Sequence, residues 1–190
     1  MESRGHILRH FAVVNDTVAT LLGGYGSVDL SQYDGFLGFI LGTGSNCCYT
    51  ESTVNIPKLQ GTQHGTMIVN MEAGGYGGFQ TGTFDRILDQ HSTTPGDHLY
   101  EKMVSGGYLG EVVWETLCGA VKDGILPEVI LHGMVGKVTT KDVCEFVADP
   151  NACGGGLYGL CPDETSRQTL WEIADVLLER AAKCVAISLT

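Results

Sequence analysis

Carboxylate and amide side chains stand at four points of this sequence where a predicted strand, turn or helix ends. Asn15 and Asp16 follow a short apolar run, and Asn46 follows a glycine-containing turn. Glu72 follows a third apolar segment, and Glu101 precedes a Ser-Gly-Gly break. Carboxylates accept hydrogen bonds, amides donate and accept them, and an ordinary Asp is ionised at neutral pH. These residue types suit the binding of a polar ligand and general-base chemistry.

Each of these features also has a simpler structural explanation. Asp16 could cap a helix that starts at Thr17, because Asp is a favoured N-cap residue. The Gly42-Thr43-Gly44 sequence is common in tight hairpin turns. Glu101 could be a solvated helix residue, and Glu72 could cap the loop that follows it. Taken one at a time, the motifs leave both explanations open.

The elements that must position these residues are predicted from apolar patterning. Phe11–Val14 is predicted to be a buried strand, with a helix after it that runs through Leu22 and stops at Gly23-Gly24. Asp34–Gly44 is predicted to be a strand, and "NCCYTES" its hairpin partner. Thr66–Glu72 is a third candidate strand. The glycine-rich loop Ala73–Thr83 is expected to need positive φ angles at its glycines.

The C-terminal half is predicted to be mainly helical. Apolar residues at i, i+3 and i+4 spacing predict a helix over Tyr108–Val121. Thr139–Ala148 is predicted to be a short helix capped by Thr139 or Thr140. A last helix is predicted from Glu164, with one apolar stripe made of Leu170, Ile173, Leu177, Ala181 and Cys184. The chain shows no internal repeat.

Composition limits the classes of function. The 190 residues suffice for one domain with a sizeable core, and the net charge of −11 without a Lys/Arg cluster argues against nucleic acid and membrane surfaces as partners. The sequence contains neither a leader-type apolar segment nor a membrane-spanning run, so a cytoplasmic location is expected. Seven irregularly spaced cysteines favour reduced, mostly buried thiols, and their spacing predicts no metal site.

The motifs occur together and in one order, and with them the sequence resembles the hexokinases, sugar kinases with an actin-like, ribonuclease-H-like core. The segments that carry the resemblance are "NDTVAT", "LGTGSNCCY", "VNMEAGG" and "YEKMVSGGYLGE". The resemblance implies an α/β fold that represents the middle of the hexokinase large domain, with additional helices in the C-terminal half. It assigns residues 1–190 to this single region.

The resemblance also implies a role for each motif residue. Asp16 matches the catalytic base, which accepts the proton of the sugar 6-hydroxyl as that oxygen attacks the γ-phosphate of ATP. Asn15, Asn46, Glu72 and Glu101 match residues that bind the sugar. Gly42, Thr43 and Gly44 match the second phosphate-binding turn of the nucleotide site, so ATP and Mg²⁺ are the implied cofactors. Two Glu and two Asn suit a hexose, whose buried hydroxyls each need hydrogen-bond partners.

Several parts of the family pattern are not found in the printed residues. They are the first phosphate loop of the Asp-Leu-Gly-Gly-Thr type, the small-domain Thr-Lys pair and the adenosine-binding segment. The expectation is therefore a partial large domain that transfers little phosphate on its own and tends to self-associate through uncovered apolar surface. Ala73 also stands where better-known members carry a bulky aromatic residue, which leaves the preferred hexose open.

Three classes of function remain in competition at this stage. The first is part of a hexokinase that phosphorylates glucose or a similar hexose. The second is a non-catalytic sugar-binding or partner-binding module derived from such an enzyme. The third is another actin-like nucleotide-binding protein, against which the pair Glu72 and Glu101 argues, because that class needs no hexose site.

Overall fold

The structure, a computed structural model, describes residues 12–59, 61, 65–133, 138–152 and 156–190. It is a mixed α/β structure that divides into two compact units. The first unit holds the described residues up to Phe39 together with Cys47–Met71. The second holds Ile40–Asn46 and Glu72–Thr190. No helix within the described ranges is both long and apolar enough to cross a membrane.

A three-stranded sheet contains all of the strands that the structure describes. Its order is β1-β2-β3, formed by Leu37–Leu41, Ser45–Ser52 and Thr66–Asn70. Strands β2 and β3 are antiparallel, with Cys48 opposite Asn70 and Ser52 opposite Thr66. The three predicted strands after residue 34 are thus confirmed. Short 3₁₀ turns lie at Leu30–Gln32, Thr53–Asn55 and Pro57–Leu59.

In the first unit, helix α1 (Asp16–Tyr25) approaches the sheet closely because Gly38 has no side chain. A Cβ at this position would lie 2.7 Å from the carbonyl oxygen of Thr17 and 2.9 Å from the Sγ of Cys48. The Cys48 thiol donates a hydrogen bond to the same Thr17 carbonyl at 3.3 Å. Gly38, the second glycine of the apolar sequence "DGFLGFIL", therefore makes room for α1.

The predicted strand Phe11–Val14 is wrong for the residues that the structure describes, and Phe11 lies outside them. Ala12–Asn15 has no strand conformation, and Val13 and Val14 are 90% and 47% exposed. A β-branched apolar run becomes a strand only where a neighbouring strand accepts its hydrogen bonds. None of the described strands pairs with this segment.

Helix α1 also continues past its predicted end at Gly23-Gly24. It includes both glycines and stops at Tyr25, with Gly26 as its C-cap. The Tyr25 ring packs edge-on against Phe36 at 5.0 Å, and its hydroxyl bonds the hydroxyl of Thr50. These contacts offset the low helix propensity of glycine, which makes a helix less stable by about 1 kcal/mol per residue relative to alanine.

The second unit is built from six helices within the described ranges. They are α2 (Thr83–His91), α3 (Leu99–Val104), α4 (Leu109–Lys122), α5 (Val129–His132), α6 (Thr140–Ala148) and α7 (Glu164–Ser188). The helices predicted over 108–121, over 139–148 and from 164 are confirmed. Thr139 is the N-cap of α6. Its hydroxyl accepts from the backbone N–H of Asp142, and the Asp142 carboxylate accepts from the backbone N–H of Thr139.

Two apolar clusters hold these helices together. The larger joins α4, α6 and α7, and its fully buried members include Val113, Leu117 and Leu170. The smaller packs α3 against α7 through the members Tyr100, Met103, Val104, Leu109, Ala181 and Cys184. The predicted stripe of α7 is thereby confirmed as its packed face, since Ile173 and Leu177 also lie against the larger cluster.

Buried Lys102 fixes α3 to the preceding segment. Its side chain is only 3% exposed, and its Nζ donates to Asp89 Oδ1 and to the carbonyl of Thr94, both at 2.6 Å. The Asp89 carboxylate also accepts from the amide of Gly96 at 2.9 Å. One ion pair therefore ties α2, the loop that follows it and α3 together.

A second buried ion pair joins α2 to α7. Arg180 donates two parallel hydrogen bonds of 2.8 Å to the Asp85 carboxylate, whose side chain is 4% exposed. Asp85 also accepts from the amide of Gly82 at 2.7 Å. The bidentate geometry sets the orientation of α2 on α7 as well as their distance.

We expect Lys102→Met to lower the free energy of unfolding by about 3 kcal/mol, because it leaves the Asp89 carboxylate without its ammonium partner. The hydrogen bond from Lys102 lowers the pKa of Asp89, although burial opposes this shift. A lowered pKa in the folded state stabilises the protein above the ordinary Asp pKa, and this stabilisation is lost as the pH falls through the folded value. The variant should therefore lose less stability than the wild type below about pH 4.

Urea unfolding between pH 3 and pH 7 measures both effects. The double variant Lys102→Met/Asp89→Leu, which removes both charges, should recover part of the lost stability at neutral pH. Parallel acid dependences in wild type and Lys102→Met would contradict the assignment of this pH effect to the pair.

Arg180→Met should destabilise the chain by about 3–5 kcal/mol, because the buried Asp85 carboxylate then lacks a compensating charge. Exposed Lys183 on the same helix, with its side chain 68% exposed, offers a matched control. Lys183→Met should change the unfolding free energy by less than about 1 kcal/mol. Thermal unfolding of the wild type, Arg180→Met and Lys183→Met measures these differences. Equal losses of stability in both variants would show that the bidentate pair contributes no more than an exposed ion pair.

Candidate functional site

The Glu101 carboxylate holds the turn that connects β1 to β2. Its Oε2 accepts a hydrogen bond from the backbone N–H of Ser45 at 2.9 Å. Two glycines leave the space that the carboxylate occupies. A Cβ on Gly44 would lie 2.6 Å from Oε2, and a Cβ on Gly74 would lie 3.0 Å from it. Glu101 is therefore a half-buried, bonded carboxylate and not a solvated helix residue.

The Gly42-Thr43-Gly44 turn is docked by its backbone on the corner between α3 and α4. The amide of Gly106 donates to the carbonyl of Gly42 at 2.7 Å, and the amide of Gly107 donates to that of Thr43 at 3.1 Å. The turn closes on itself through a 2.9 Å bond from the Gly42 amide to the Gly44 carbonyl. A Cβ on Gly107 would lie 2.6 Å from the Thr43 oxygen, so this docking requires glycine.

Asn46 and Glu72 belong to adjacent segments. The Asn46 side-chain oxygen accepts from the amide of Ala73 at 3.2 Å. Glu72 is exposed and has a left-handed backbone, with φ 50° and ψ 46°. Non-glycine residues seldom adopt this conformation, and it concentrates at functional sites. The structure therefore links Glu72 to Asn46 through the next residue, Ala73.

The expectation that the glycines of the loop after Glu72 need positive φ is wrong. Ala73–Gly75 forms a 3₁₀ turn, and none of the glycines from Gly74 to Gly82 has a positive φ. Glu72 itself takes the left-handed conformation. The reason is tertiary, since the bond from Ala73 to Asn46 and the close approach of Gly74 to the Ser45 carbonyl fix the path of the loop.

Asn15 and Asp16 lie in the other unit, at the start of α1. The N-cap is Asn15, not Asp16 as the capping explanation requires, and its Oδ1 accepts from the amide of Thr17 at 2.9 Å. Asp16 is the first helical residue, and its Oδ1 accepts from the same amide at 2.8 Å. Asn15 can cap because its extended backbone lets its carbonyl accept from Ala19.

The predicted site residues thus fall into two groups. Within the second unit the structure brings together Gly42, Thr43, Gly44, Asn46, Glu72 and Glu101. Asn15 and Asp16 form an exposed pair in the first unit, where a negative charge at the start of a helix is favoured by the helix dipole.

Two buried serines in the second unit were missed by the sequence reasoning. Ser45 is 5% exposed and Ser105 is fully buried, and neither hydroxyl has a hydrogen-bond partner within the described structure. Native proteins leave few buried polar groups unpaired. Their positions, directly after Gly-Thr-Gly and at the start of Ser-Gly-Gly, were the available signal. From the sequence alone, Ser-Gly-Gly predicts only a helix break.

Cys47 and Cys48 follow the turn and belong to the first unit. They are 7% and 0% exposed, which confirms the prediction that they are buried strand residues. Burial raises the pKa of both thiols, so neither is poised as a nucleophile. Across the described ranges, no group of three or more His, Cys, Asp or Glu residues could hold a metal ion.

The Gly42-Thr43-Gly44 turn fits a phosphate group. Gly42 and Thr43 are exposed, and a Cβ on Gly42 would meet nothing within 4 Å, so the backbone is open to an approaching ligand. Small residues in a fixed turn let backbone N–H groups reach phosphate oxygens. Mg²⁺ bound to nucleotide phosphates needs few protein ligands of its own.

Comparison with known proteins places the chain in one family. The family model described as hexokinase matches residues 36–190. A chloroplastic hexokinase-2 of Nicotiana tabacum is 35% identical over 96% of this chain and 39% of its own length. Hexokinase-1 of Rattus norvegicus is 35% identical over 94% of this chain and 20% of its own length.

A solved structure agrees with these relatives. The hexokinase from Schistosoma mansoni complexed with glucose superposes with a TM-score of 0.77 at 28% identity, covering 94% of this chain and 43% of that chain. The predicted fold class, part of the large domain with an actin-like core, is thus confirmed. The chain spans less than half the length of each of these three proteins. It belongs to the hexokinase family.

Proposed function

We propose that this chain serves the ATP-dependent phosphorylation of the 6-hydroxyl of glucose or a similar hexose. The observation that carries the proposal is the bond between the Glu101 carboxylate and the Ser45 amide, because it joins a predicted sugar-binding residue to the predicted phosphate turn. The chain spans only 43% of the glucose-bound schistosome enzyme that it resembles. The activity of a whole enzyme is therefore part of the proposal.

The sugar would be bound by four side chains of two kinds. Glu72 and Glu101 accept hydrogen bonds from sugar hydroxyls, while Asn15 and Asn46 can donate as well as accept. A site made of such groups rejects an analogue that lacks a hydroxyl, because its own polar atoms would then be left unpaired. The schistosome enzyme is recorded in complex with glucose, which supports a hexose as the ligand class.

Asp16 is proposed as the base. Its side chain is exposed, and both of its hydrogen bonds to Thr17 end on Oδ1. A carboxylate in this state can accept the proton of the 6-hydroxyl as that oxygen attacks phosphorus. A positioned base of this kind contributes about 10²–10⁴-fold to the rate. Asn15, which caps the same helix, fixes the backbone from which Asp16 projects.

ATP with Mg²⁺ would supply the phosphoryl group and neutralise its charge. Within Gly42-Thr43-Gly44, the N–H groups of Thr43 and Gly44 are proposed to hold the phosphates, while Gly42, whose N–H is bonded within the turn, leaves space for them. The exposed Thr43 hydroxyl adds a donor. For the location, a cytoplasmic protein remains our prediction, while some curated relatives are described as chloroplastic.

Titration of the purified chain with D-glucose tests the sugar site. We expect saturable binding that Glu72→Gln weakens by roughly tenfold or more, because a hydrogen bond to a charged group is worth about 1.5–3 kcal/mol. Glu128→Gln, at a residue with a 79% exposed side chain, is the matched control and should bind like the wild type. Failure of the wild type to bind glucose would contradict the proposed sugar site.

Phosphoryl transfer is tested in a larger protein. The matched segment of the schistosome hexokinase is replaced by this chain, and glucose-dependent ADP formation is measured with and without Asp16→Asn. We expect kcat to fall by about 10²-fold or more while the KM for glucose changes little. Equal turnover in both chimaeras would remove Asp16 from the role of base. Glucose binding without turnover in the unmutated chimaera would favour a sugar-binding module.

A further inference from the structure

We propose that Glu101 uses its two carboxylate oxygens for two tasks. Oε2 positions the Gly42–Ser45 turn, and Oε1 remains for a sugar hydroxyl, so that sugar binding and the shape of the phosphate turn are coupled. This inference rests on the proposed function for its sugar part only. The positioning part rests on the geometry of the second unit.

The two oxygens of Glu101 have different surroundings. Oε2 accepts from the Ser45 amide at 2.9 Å and is the atom that a Cβ on Gly44 or Gly74 would meet at 2.6 and 3.0 Å. Oε1 is farther from the same site, 3.8 Å from the Cβ position of Gly44. Oε2 is therefore the oxygen that is bonded to backbone and lies close to both glycines, whereas no hydrogen bond to Oε1 is found within the described residues.

Glu101 bonds both segments that make up the site. Its side chain holds Ser45, and its backbone carbonyl accepts from the amide of Ser105 at 2.9 Å. Ser105 leads directly into Gly106 and Gly107, whose amides hold the other side of the turn. Three hydrogen bonds thus fix the turn to residues 101–107, one from Ser45 to the Glu101 side chain and two from Gly106 and Gly107 to the turn. Glu101 takes part at both sides, through its side chain and through its backbone bond to Ser105.

Each of the two joined segments also carries an unpaired hydroxyl. The buried Oγ atoms of Ser45 and Ser105 have no partner in the described part of the chain. Buried polar atoms of this kind are usually satisfied by a ligand or an ordered water. Their presence in the segments that Glu101 connects supports a polar binding site at this place.

A carboxylate that holds the turn with one oxygen cannot shift to follow its ligand without disturbing the turn. A sugar hydroxyl that binds Oε1 therefore stabilises the Ser45 bond as well. The coupling predicts that glucose slows local opening, and hence amide exchange, at Ser45, Gly106 and Gly107. A sugar contact without coupling would have no effect beyond Glu101 itself.

Amide hydrogen exchange at these three residues, followed by NMR on the 190-residue chain, measures the coupling. We expect Glu101→Ala to speed exchange at Ser45 by roughly ten- to hundredfold, since it removes a hydrogen bond to a charged acceptor. Glu101→Gln keeps an acceptor oxygen and should give a smaller increase. Glu128→Gln should leave all three rates unchanged. The near-ultraviolet signal of Trp114 and Trp171 shows whether each variant is folded.

Gly107→Ala provides an independent test that leaves Glu101 intact. Its Cβ would lie 2.6 Å from the Thr43 oxygen and should break the docking of the turn. Coupling then predicts weaker glucose binding, by about threefold or more, although position 107 is not a predicted sugar contact. An unchanged glucose affinity would overturn the coupling.

The outcomes separate this inference from the proposed function. Unchanged exchange at Ser45 in folded Glu101→Ala would overturn the positioning role, even if glucose binding is lost. Faster exchange at Ser45 in a chain that binds no glucose would support the positioning role and reject the sugar site. Protection of all three amides by glucose, lost in both Glu101 variants, would support the two tasks together.

Discussion

A six-residue helix cannot hold its own shape in water, and the candidate site of this protein depends on such a helix. Helix α3 persists because almost all of it is buried. Tyr100, Met103 and Val104 pack in an apolar cluster with α7, and Lys102 is locked to Asp89 and the Thr94 carbonyl. Glu101 lies half-buried between two of these buried residues, Tyr100 and Lys102. The neighbours of Glu101 along the chain therefore supply the rigidity that a binding carboxylate needs.

Contact between backbone segments fixes the position of the Gly42–Gly44 turn in the second unit. The turn at Gly42–Gly44 meets the corner at Gly106 and Gly107 through main-chain hydrogen bonds. Cβ atoms at Gly106 or Gly107 would collide with the backbone of the turn, and one at Gly44 would collide with the Glu101 carboxylate. Main-chain groups have few ways to rearrange. A turn held in this manner is preorganised for the phosphate-binding role proposed for it, and it tolerates few substitutions.

The sequence allowed the prediction of those elements whose pattern is local. Strands β1 to β3 follow from apolar runs bounded by turn residues. Helices α4 and α7 follow from the helical spacing of their apolar residues, and α6 follows from the capping residue Thr139. The strand over Phe11–Val14 fails because pairing depends on a distant partner. Glu72, directly before the glycine-rich loop, has the left-handed backbone because Asn46 binds the amide of Ala73. That hydrogen bond joins residues 27 positions apart. Local sequence carries neither of these facts.

The same distinction applies to the site. Motif order selects the candidate residues, since each belongs to a short stretch with its own signature, and the structure places Asn46, Glu72, Glu101 and the Gly-Thr-Gly turn in one unit. The separate roles of these residues cannot be predicted from the sequence, because the hydrogen bond from Ser45 to Glu101 joins residues 56 positions apart. A sequence motif shows that a carboxylate is present but not which of its oxygens is already occupied. That difference decides whether Glu101 merely contacts a ligand or also transmits its binding to the phosphate turn.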